Sequence, residues 1–202
     1  MAEPQRWSAG STVHIYIRKE EEQMSTTTCY TCIDSPVGQI CLEGDGHFLT
    51  GLYLPKHKGW RGPDRSWQQT DKPFVAVREQ LNGYFAGDRH AFDIPLRLAG
   101  TPFQREVWEQ LMRIPFGKTL SYGELAIRVG RPNAFRAVGS ANGCNPISII
   151  VPCHRVIGSD GQLTGYGGGL GNKRWLLDWE RDTKGNNAVS SANRRRAVTS
   201  AV

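Results

Sequence analysis

The alternation of apolar and polar positions predicts strands in the first half of the chain. Between residues 29 and 54, short apolar runs are separated by turn residues rich in Gly, Pro, Ser and Asp. Three of these runs predict strands, at 29–34, 39–43 and 48–54. Apolar residues then recur at helical spacing, which predicts a helix over 73–86, followed by an extended segment at 91–96. Residues 55–72 lack periodicity and predict a long loop, so we expect a small sheet with one helix.

The second half begins near residue 100 and its pattern predicts helices. Thr101 followed by Pro102 marks a helix start, because threonine is a good N-cap and proline suits the first helical position. Ser121 with Glu124 three residues later matches a capping box. A short helix is therefore expected from there to about residue 129.

A turn at 130–132 leads to a further short helix, for which Asn133 is the predicted N-cap. Two short helices joined by a turn that contains glycine are typical of a helix-turn-helix. Arg128, Arg131 and Arg136 cluster around the turn, and phosphate contact is their simplest use. The second helix is rich in small residues. This favours shape and backbone contact with a nucleic-acid groove, although close helix packing explains small residues equally well.

The chemistry is concentrated after the apolar run 147–151, which predicts a buried strand that ends at a proline. Cys153, His154 and Arg155 follow, and a thiol held beside a base and a cation is typical of a nucleophile. Neighbours on a strand point to opposite faces, so a bridging water is the expected relay between thiol and imidazole. The alternative is that Cys153 is a buried small hydrophobe and His154 a structural hydrogen-bonding group.

A third group is needed to orient the imidazole, and Glu180 is the candidate. It lies on the last predicted helix, 172–181. Between the thiol and this helix, the sequence predicts a hairpin with its tip at 159–161 and then a glycine-rich stretch at 165–169. The glycine spacing fits neither a Walker loop nor a dinucleotide fingerprint, so a loop whose backbone approaches a ligand is expected.

The amino-acid composition narrows the possible classes of protein and leaves the predicted elements unchanged. The chain of 202 residues carries a net charge of +6, a moderate lean toward a polyanionic partner. It contains no run of about 18 apolar residues and no apolar signal core at the N-terminus, so a cytoplasmic location is expected. The odd count of five cysteines argues against a full disulfide framework. Cys29, Cys32, Cys41 and His47 are weighed as a metal site, but buried or incidental thiols are expected and no metal is predicted.

Both ends of the chain predict disorder. Residues 1–27 are polar and predict a flexible extension, within which Met24 is a second candidate start. Residues 183–202 are rich in Asn, Ser, Ala and Arg and predict a disordered tail.

The residues around the thiol resemble the signature of O6-alkylguanine-DNA alkyltransferases, also called methylated-DNA–protein-cysteine methyltransferases. The resemblance extends from about Ile33 to Glu180 and is carried by Asn145-Pro146, Pro152-Cys153-His154-Arg155-Val156 and Gly165-Tyr166-Gly167-Gly168-Gly169. It implies an α+β fold in two domains. A small sheet-plus-helix domain of the ribonuclease H-like type would span 28–98, and a mainly helical, winged-helix-like domain for catalysis and DNA binding would span 99–182.

The resemblance also implies roles for individual residues. Cys153 would accept the alkyl group, His154 would act through water as its base, and Glu180 would orient His154. Asn145 would hold the turn that links the helix-turn-helix to the active site, and Tyr122 would help to rotate the target nucleotide and bind the base.

Further residues would contact DNA or the base. Arg136 would enter the duplex where the base leaves, and the loop at Tyr166 and Gly167 would close over the base. The main-chain carbonyls of Cys153 and Val156 would accept from the guanine amine. The other implied DNA contacts are Ser121, Ala137 and Gly139.

The implied function is direct-reversal DNA repair. An alkyl group would move irreversibly from O6-alkylguanine, and from O4-alkylthymine, in duplex DNA to Cys153, once per molecule, after base flipping and minor-groove binding. No cofactor is implied, the protein would act as a monomer, and cooperativity on DNA stays open. Two alternatives remain: a non-enzymatic alkyltransferase-like protein, which would lack the acceptor cysteine, and an unrelated cysteine hydrolase. Vertebrate members have proline where Ser148 stands here, which leaves the handling of bulky adducts open.

Overall fold

The first half of the chain forms a four-stranded sheet in the order β3-β2-β1-β4. The computed structural model describes residues 27–199, with side chains through Gly185, so Met24 and nearly all of the predicted extension at 1–27 lie outside the described residues. The strands are β1 (Cys29–Ile33), β2 (Ile40–Gly44), β3 (Leu49–Tyr53) and β4 (Gln68–Gln69). The first three confirm the predicted strands and pair antiparallel. The short β4 adds to β1 in parallel, from within the predicted loop 55–72.

One helix packs against this sheet, as predicted. A 3-10 turn (Lys72–Phe74) leads into α1 (Val75–Ala86), which buries Val77, Leu81 and Tyr84. The segment predicted to be extended returns to the sheet where Leu96 bridges Leu49 in parallel. These apolar side chains are removed from water against strand residues such as Leu42 and Leu52, which are fully buried.

The cysteines of the sheet differ from the expectation. Cys32 and Cys41 face each other across β1 and β2 and are joined by a disulfide. The pairing follows from the strand register, since residues directly opposite on antiparallel strands have neighbouring Cβ atoms. Cys29, Cys144 and Cys153 are free thiols. Among the described residues, no group of three or more His, Cys, Asp or Glu side chains is arranged to hold a metal ion.

The second half is helical, and its first helix starts confirm the capping analysis. In α2 (Pro102–Met112) the Thr101 side chain accepts from the backbone of Gln104, and the Gln104 side chain bonds back. β5 (Leu120–Ser121) leads into α3 (Tyr122–Arg128), where Ser121 and Glu124 form the predicted capping box.

The start of α4 (Phe135–Gly143) differs from the prediction, because Ala134 rather than Asn133 is its N-cap and no side chain caps it. The Ala134 N–H instead donates to the Arg131 carbonyl, so residues 131–134 form a turn before the helix begins.

The apolar run 147–151 is not a strand, so that prediction was wrong. Its residues form tight turns, with the Val151 N–H on the Ile147 carbonyl at 3.0 Å and Ile149 in the left-handed region at φ 68°. The run is apolar because it is buried on all sides, and periodicity cannot separate this case from a buried strand. Strand β3 anchors the turns: the Leu52 N–H donates to the Pro146 carbonyl, and the Ser148 N–H donates to the Leu52 carbonyl.

Two further elements differ from expectation. β6 (Val156–Ile157) pairs in parallel with β5, and the Gly158 N–H closes a turn on Gln162, but within the described part of the chain no returning strand completes the predicted hairpin. The last helix, α5 (Leu170–Thr199), continues through most of the stretch predicted to be disordered from residue 183. Thr183 is buried and lies against Gly87 of the first half, so packing extends the helix past the predicted end. No helix within residues 27–199 is long and apolar enough to cross a membrane.

Candidate active site

The thiol of Cys153 is held by an asparagine side chain. Cys153 opens a buried 3-10 helix (Cys153–Arg155) and is 3% exposed. The Asn145 amide donates to its sulfur at 3.0 Å and to the Val151 carbonyl at 2.8 Å, while its oxygen accepts from the Ile147 N–H at 3.0 Å. One buried amide therefore ties the irregular turn and the thiol together.

Behind the thiol, Glu180 collects the donors of four residues. Its carboxylate accepts from His154 Nε2 at 2.9 Å and from Arg155 Nε and Nη2 at 2.9 and 2.8 Å. The Tyr84 hydroxyl and the Gly117 N–H also donate to it, each at 2.9 Å. All of these contacts converge on a fully buried carboxylate of α5, so the two halves of the protein hold it jointly.

The protonation states of this cluster follow from burial and charge. Burial acts to raise the pKa of Glu180, but the adjoining His154 and Arg155 hold that pKa well below its ordinary value. Burial lowers the pKa of His154 despite the Glu180 carboxylate, so the imidazole is neutral at pH 7. Because a carboxylate only accepts, His154 Nε2 carries the proton. Nδ1, which is buried without a hydrogen-bond partner among the described residues, keeps its lone pair.

The thiol itself rests in the protonated form. Burial raises the pKa of Cys153 to about 11, although the Asn145 hydrogen bond and the positive charge of Lys173 favour the thiolate. Lys173 is buried, and burial lowers its pKa to about 8. A neutral base and a nearby cation therefore surround a thiol that needs both to react at neutral pH.

The glycine loop, residues 164–169, borders the thiol on the other side. The Tyr122 hydroxyl donates to the Thr164 carbonyl at 3.0 Å, and Lys173 Nζ donates to the same carbonyl at 2.7 Å. Tyr166 follows, with its hydroxyl buried in the neighbourhood of Cys153, and burial raises its pKa well above the ordinary value.

A cavity of about 730 Å³ opens between α4 and the glycine loop. Its walls include Gly139, Ser140, Asn145, Tyr166 and Gly167, together with Tyr53 and His57 of the first half. Asn145 lines the cavity and bonds the Cys153 sulfur, so the thiol lies directly behind the cavity wall. Cavities of this volume accommodate drug-sized organic ligands, so a nucleobase, which is smaller, fits inside.

Several small residues of α4 face solvent, although Ala141 is buried. Ala137 and Ser140 are exposed, and a side chain added at Gly143 would meet open space, so helix packing does not require them to be small. The exposed face runs from Arg136 through Ser140 to the cavity rim. Phe135 beside Arg136 is 49% exposed. Arg131 is engaged elsewhere, with Glu106 at 3.1 Å and over the Phe103 ring.

The structure brings most of the predicted site residues together. Cys153 contacts Asn145, and His154 contacts Glu180, while Gly139, Tyr166 and Gly167 line the cavity. The other predicted residues border this centre: Tyr122 of α3 bonds the glycine loop, Ser121 caps α3, Val156 lies in β6, and Arg136 and Ala137 lie on the exposed face of α4. The Cys153 carbonyl, expected to bind a base amine, accepts from the Val156 N–H and from Asn142.

Sequence reasoning missed Lys173 and Tyr84. Lys173 lies seven residues before Glu180, and helical spacing places both on one face of α5 together with buried Leu176, which is a signal that could have revealed it. Tyr84 approaches Glu180 from 96 positions away, which no local pattern shows. Arg155 was identified as a cation beside the thiol, but its guanidinium turns to Glu180.

Together, a buried thiol, a His–Glu pair and an adjoining helix-turn-helix define a cysteine-dependent DNA-binding enzyme. Residues 102–182 match the family model "6-O-methylguanine DNA methyltransferase, DNA binding domain", and residues 28–98 match "6-O-methylguanine DNA methyltransferase, ribonuclease-like domain". The chain belongs to the O6-alkylguanine-DNA alkyltransferase family. It is an enzyme of the methylated-DNA–protein-cysteine methyltransferase class and a DNA-repair protein.

The relatives are close in sequence and in structure. A methylated-DNA–protein-cysteine methyltransferase of Mycobacterium tuberculosis is 52% identical over 153 residues, covering 75% of this chain and 92% of the relative. One of Methanosarcina barkeri is 46% identical, covering 76% and 97%. The crystal structure of M. tuberculosis OGT in complex with DNA superposes with a TM-score of 0.72 at 50% identity, covering 77% of this chain and 94% of that one. The ribonuclease-like sheet followed by a helical DNA-binding half confirms the predicted fold class.

Proposed function

We propose that this protein repairs duplex DNA by moving an alkyl group from O6-alkylguanine irreversibly to the Cys153 sulfur, once per molecule. The observation that carries the proposal is the buried Cys153 thiol, bonded to Asn145 at 3.0 Å behind a cavity large enough for a nucleobase, beside a neutral His154 fixed by Glu180. A thiol buried in this way reacts with what enters the cavity and is shielded from other electrophiles.

The proton and the alkyl group move in opposite directions. The Cys153 proton passes to His154 Nδ1 through a bridging water, and Glu180 stabilises the imidazolium that forms. The sulfur attacks the alkyl carbon in line, a carbon–sulfur bond forms and the bond to guanine O6 breaks. Tyr122 donates a proton to the leaving guanine ring and is reprotonated from the imidazolium. The net change is thiol plus O6-alkylguanine to thioether plus guanine. A thioether has no easy hydrolysis, so the protein is consumed.

The substrate base must leave the duplex to reach the cavity. The exposed face of α4, with Arg136 at one end and the cavity rim at the other, is the surface we assign to the minor groove. Arg136 occupies the space left by the flipped nucleotide. A base with weakened pairing is flipped at lower cost, which favours the alkylated base. O4-alkylthymine is the second substrate proposed.

Transfer of a radiolabel tests the proposal. The full chain is mixed with duplex DNA that contains one O6-[methyl-labelled]guanine, and the labelled peptide is identified by mass spectrometry. We expect one label per protein molecule, on the peptide that contains Cys153. Cys153→Ser should bind the duplex with unchanged affinity and transfer nothing, whereas Cys29→Ser, a buried free thiol of β1, should transfer normally.

The same experiment separates the alternatives. Release of labelled methanol over many turnovers would identify a hydrolase, and binding without transfer in the wild-type protein would identify a non-enzymatic lesion-binding protein. Either result refutes the proposal. Replacing the labelled guanine by O4-methylthymine in the same duplex tests the second substrate.

A further inference from the structure

The glycine loop is held from two sides. On the side of the second half, Tyr122 and Lys173 donate to the Thr164 carbonyl at 3.0 and 2.7 Å, and Lys173 also reaches the Gly165 carbonyl at 3.4 Å. These bonds fix the entrance of the loop. They leave Tyr166 and the residues after it to be positioned by other contacts.

On the other side, a turn of the first half, residues 54–60, docks on the loop. The Lys58 N–H donates to the Gly167 carbonyl at 2.8 Å. A Cβ at Gly167 would lie 2.5 Å from His57 Nε2, and a Cβ at Gly168 would lie 2.6 Å from the Leu54 side chain. Gly167 therefore lies flat against the His57 ring. Since its φ is not positive, the requirement for glycine there comes from His57 and not from backbone conformation.

The position of His57 is fixed by contacts within its own half of the protein. His57 is 7% exposed, its N–H bonds the Leu54 carbonyl and its carbonyl accepts from the Trp60 N–H, both at 3.0 Å. Its ring meets Tyr53 edge-on at 5.4 Å between centroids, and Tyr53 stacks on Trp60 at 4.2 Å. The imidazole therefore packs against the Tyr53 ring and against the loop backbone.

We propose that His57 is a positioning residue that sets the height of the glycine loop, and with it Tyr166, over the substrate cavity. The inference deepens the proposed function, because the loop matters to catalysis only if a base lies beneath it. The first half of the protein then contributes to transfer by fixing the loop before DNA binds. A shift of about 1 Å in such a contact can cost on the order of 100-fold in rate.

A double-mutant cycle tests the contact between His57 and Gly167. Three variants of the full chain are compared: Gly167→Ala, His57→Ala and the double variant. For each, the maximal single-turnover transfer rate at saturating duplex DNA and the Kd for DNA are measured. We expect Gly167→Ala to lower the rate by about 100-fold and His57→Ala by about tenfold, with Kd changed less than about threefold. In the His57→Ala background, Gly167→Ala should cost almost nothing further.

Two control variants isolate this contact. Gly168→Ala collides with Leu54 and Tyr166, so His57→Ala should not rescue it. His47→Ala removes an exposed histidine of the same half and should leave rate and affinity unchanged.

Hydrogen exchange provides a readout that does not need activity. The amides of residues 165–169 should exchange faster in His57→Ala, while those of β1 to β3 keep their wild-type rates. Equal costs of Gly167→Ala in both backgrounds, or unchanged loop exchange in His57→Ala, would overturn the proposal. Faster exchange throughout the sheet would also overturn it, since His57 would then be a folding residue. If the wild-type protein transfers nothing, the proposed function fails, and the exchange result still decides whether His57 holds the loop.

Discussion

Two regions meet at the thiol and are built in opposite ways. The catalytic floor, which we define as Cys153, His154, Arg155 and Glu180, is buried, and His154 and Arg155 bond the Glu180 carboxylate at 2.8–2.9 Å. The glycine loop is half-exposed, and its backbone carbonyls accept hydrogen bonds from Tyr122, Lys173 and Lys58. The two regions therefore differ in role. Burial in the floor sets the protonation states, whereas the loop leaves a surface that a ligand can reach.

The largest expected effect comes from breaking the floor at its centre. Glu180→Gln removes the charge that Arg155 and His154 share and leaves a buried guanidinium unpaired. We expect the free energy of unfolding to fall by about 3–5 kcal/mol, measured by urea denaturation. Transfer should fall by about 100-fold or more, because the imidazolium loses its counter-charge. A free energy of unfolding equal to the wild-type value in this variant would contradict the central role assigned to the Glu180 carboxylate.

Acid should destabilise the floor in two stages. The folded pKa of His154 is lowered, so its contribution is complete above the unfolded value of about 6.5 and is lost as pH falls below it. The folded pKa of Glu180 is also lowered, so its contribution is lost below about pH 4–5. Urea denaturation from pH 7.5 to about pH 3 should show the whole of the first loss and the onset of the second. His154→Gln should remove most of the first, leaving the part that His57, whose pKa is also lowered by burial, contributes with the same sign. A stability independent of pH over this range would contradict this description of the floor.

An intermediate effect is expected where floor and loop touch. Lys173→Gln removes the buried cation that favours the Cys153 thiolate but keeps a donor for the Thr164 carbonyl. Transfer at saturating DNA should fall about tenfold at pH 7, because the thiolate loses its nearby positive charge. Arg174→Gln, at the exposed neighbouring position, is the matched control and should transfer normally. Equal losses in the two variants would mean that the Lys173 charge does not act on the thiol.

The smallest effect is expected outside both regions. Thr101→Ala removes the side chain that caps α2 and should lower stability by about 1 kcal/mol. Single-turnover transfer should not change, because the Thr101 cap belongs to neither the catalytic floor nor the glycine loop. A loss of transfer with a normal unfolding curve would show that helix positions far from the site are coupled to it.

How much the sequence predicts differs between these two regions. The cysteine, its histidine and the glutamate on the last helix were identified from residue type, order and family resemblance. The strand predicted at 147–151 was wrong, because an apolar run signals burial and not backbone geometry. The glycines at 167 and 168 were expected to approach a ligand. In the structure they approach His57 and Leu54, which lie about 110 residues earlier in the chain and share no pattern with them.

By itself, the sequence determined the local features: the caps at Thr101 and Ser121, the sheet strands, the helix-turn-helix and the candidate nucleophile. These depend on residues within a few positions of each other, where hydrogen-bonding partners and periodicity are visible. Tertiary structure alone decided that Tyr84 and Gly117 complete the hydrogen bonds of Glu180 and that His154 is neutral. It also decided that a turn of the first half packs against the glycine loop. The physical reason is that burial and long-range contacts set pKa values and loop positions, and these arise only when distant segments pack together.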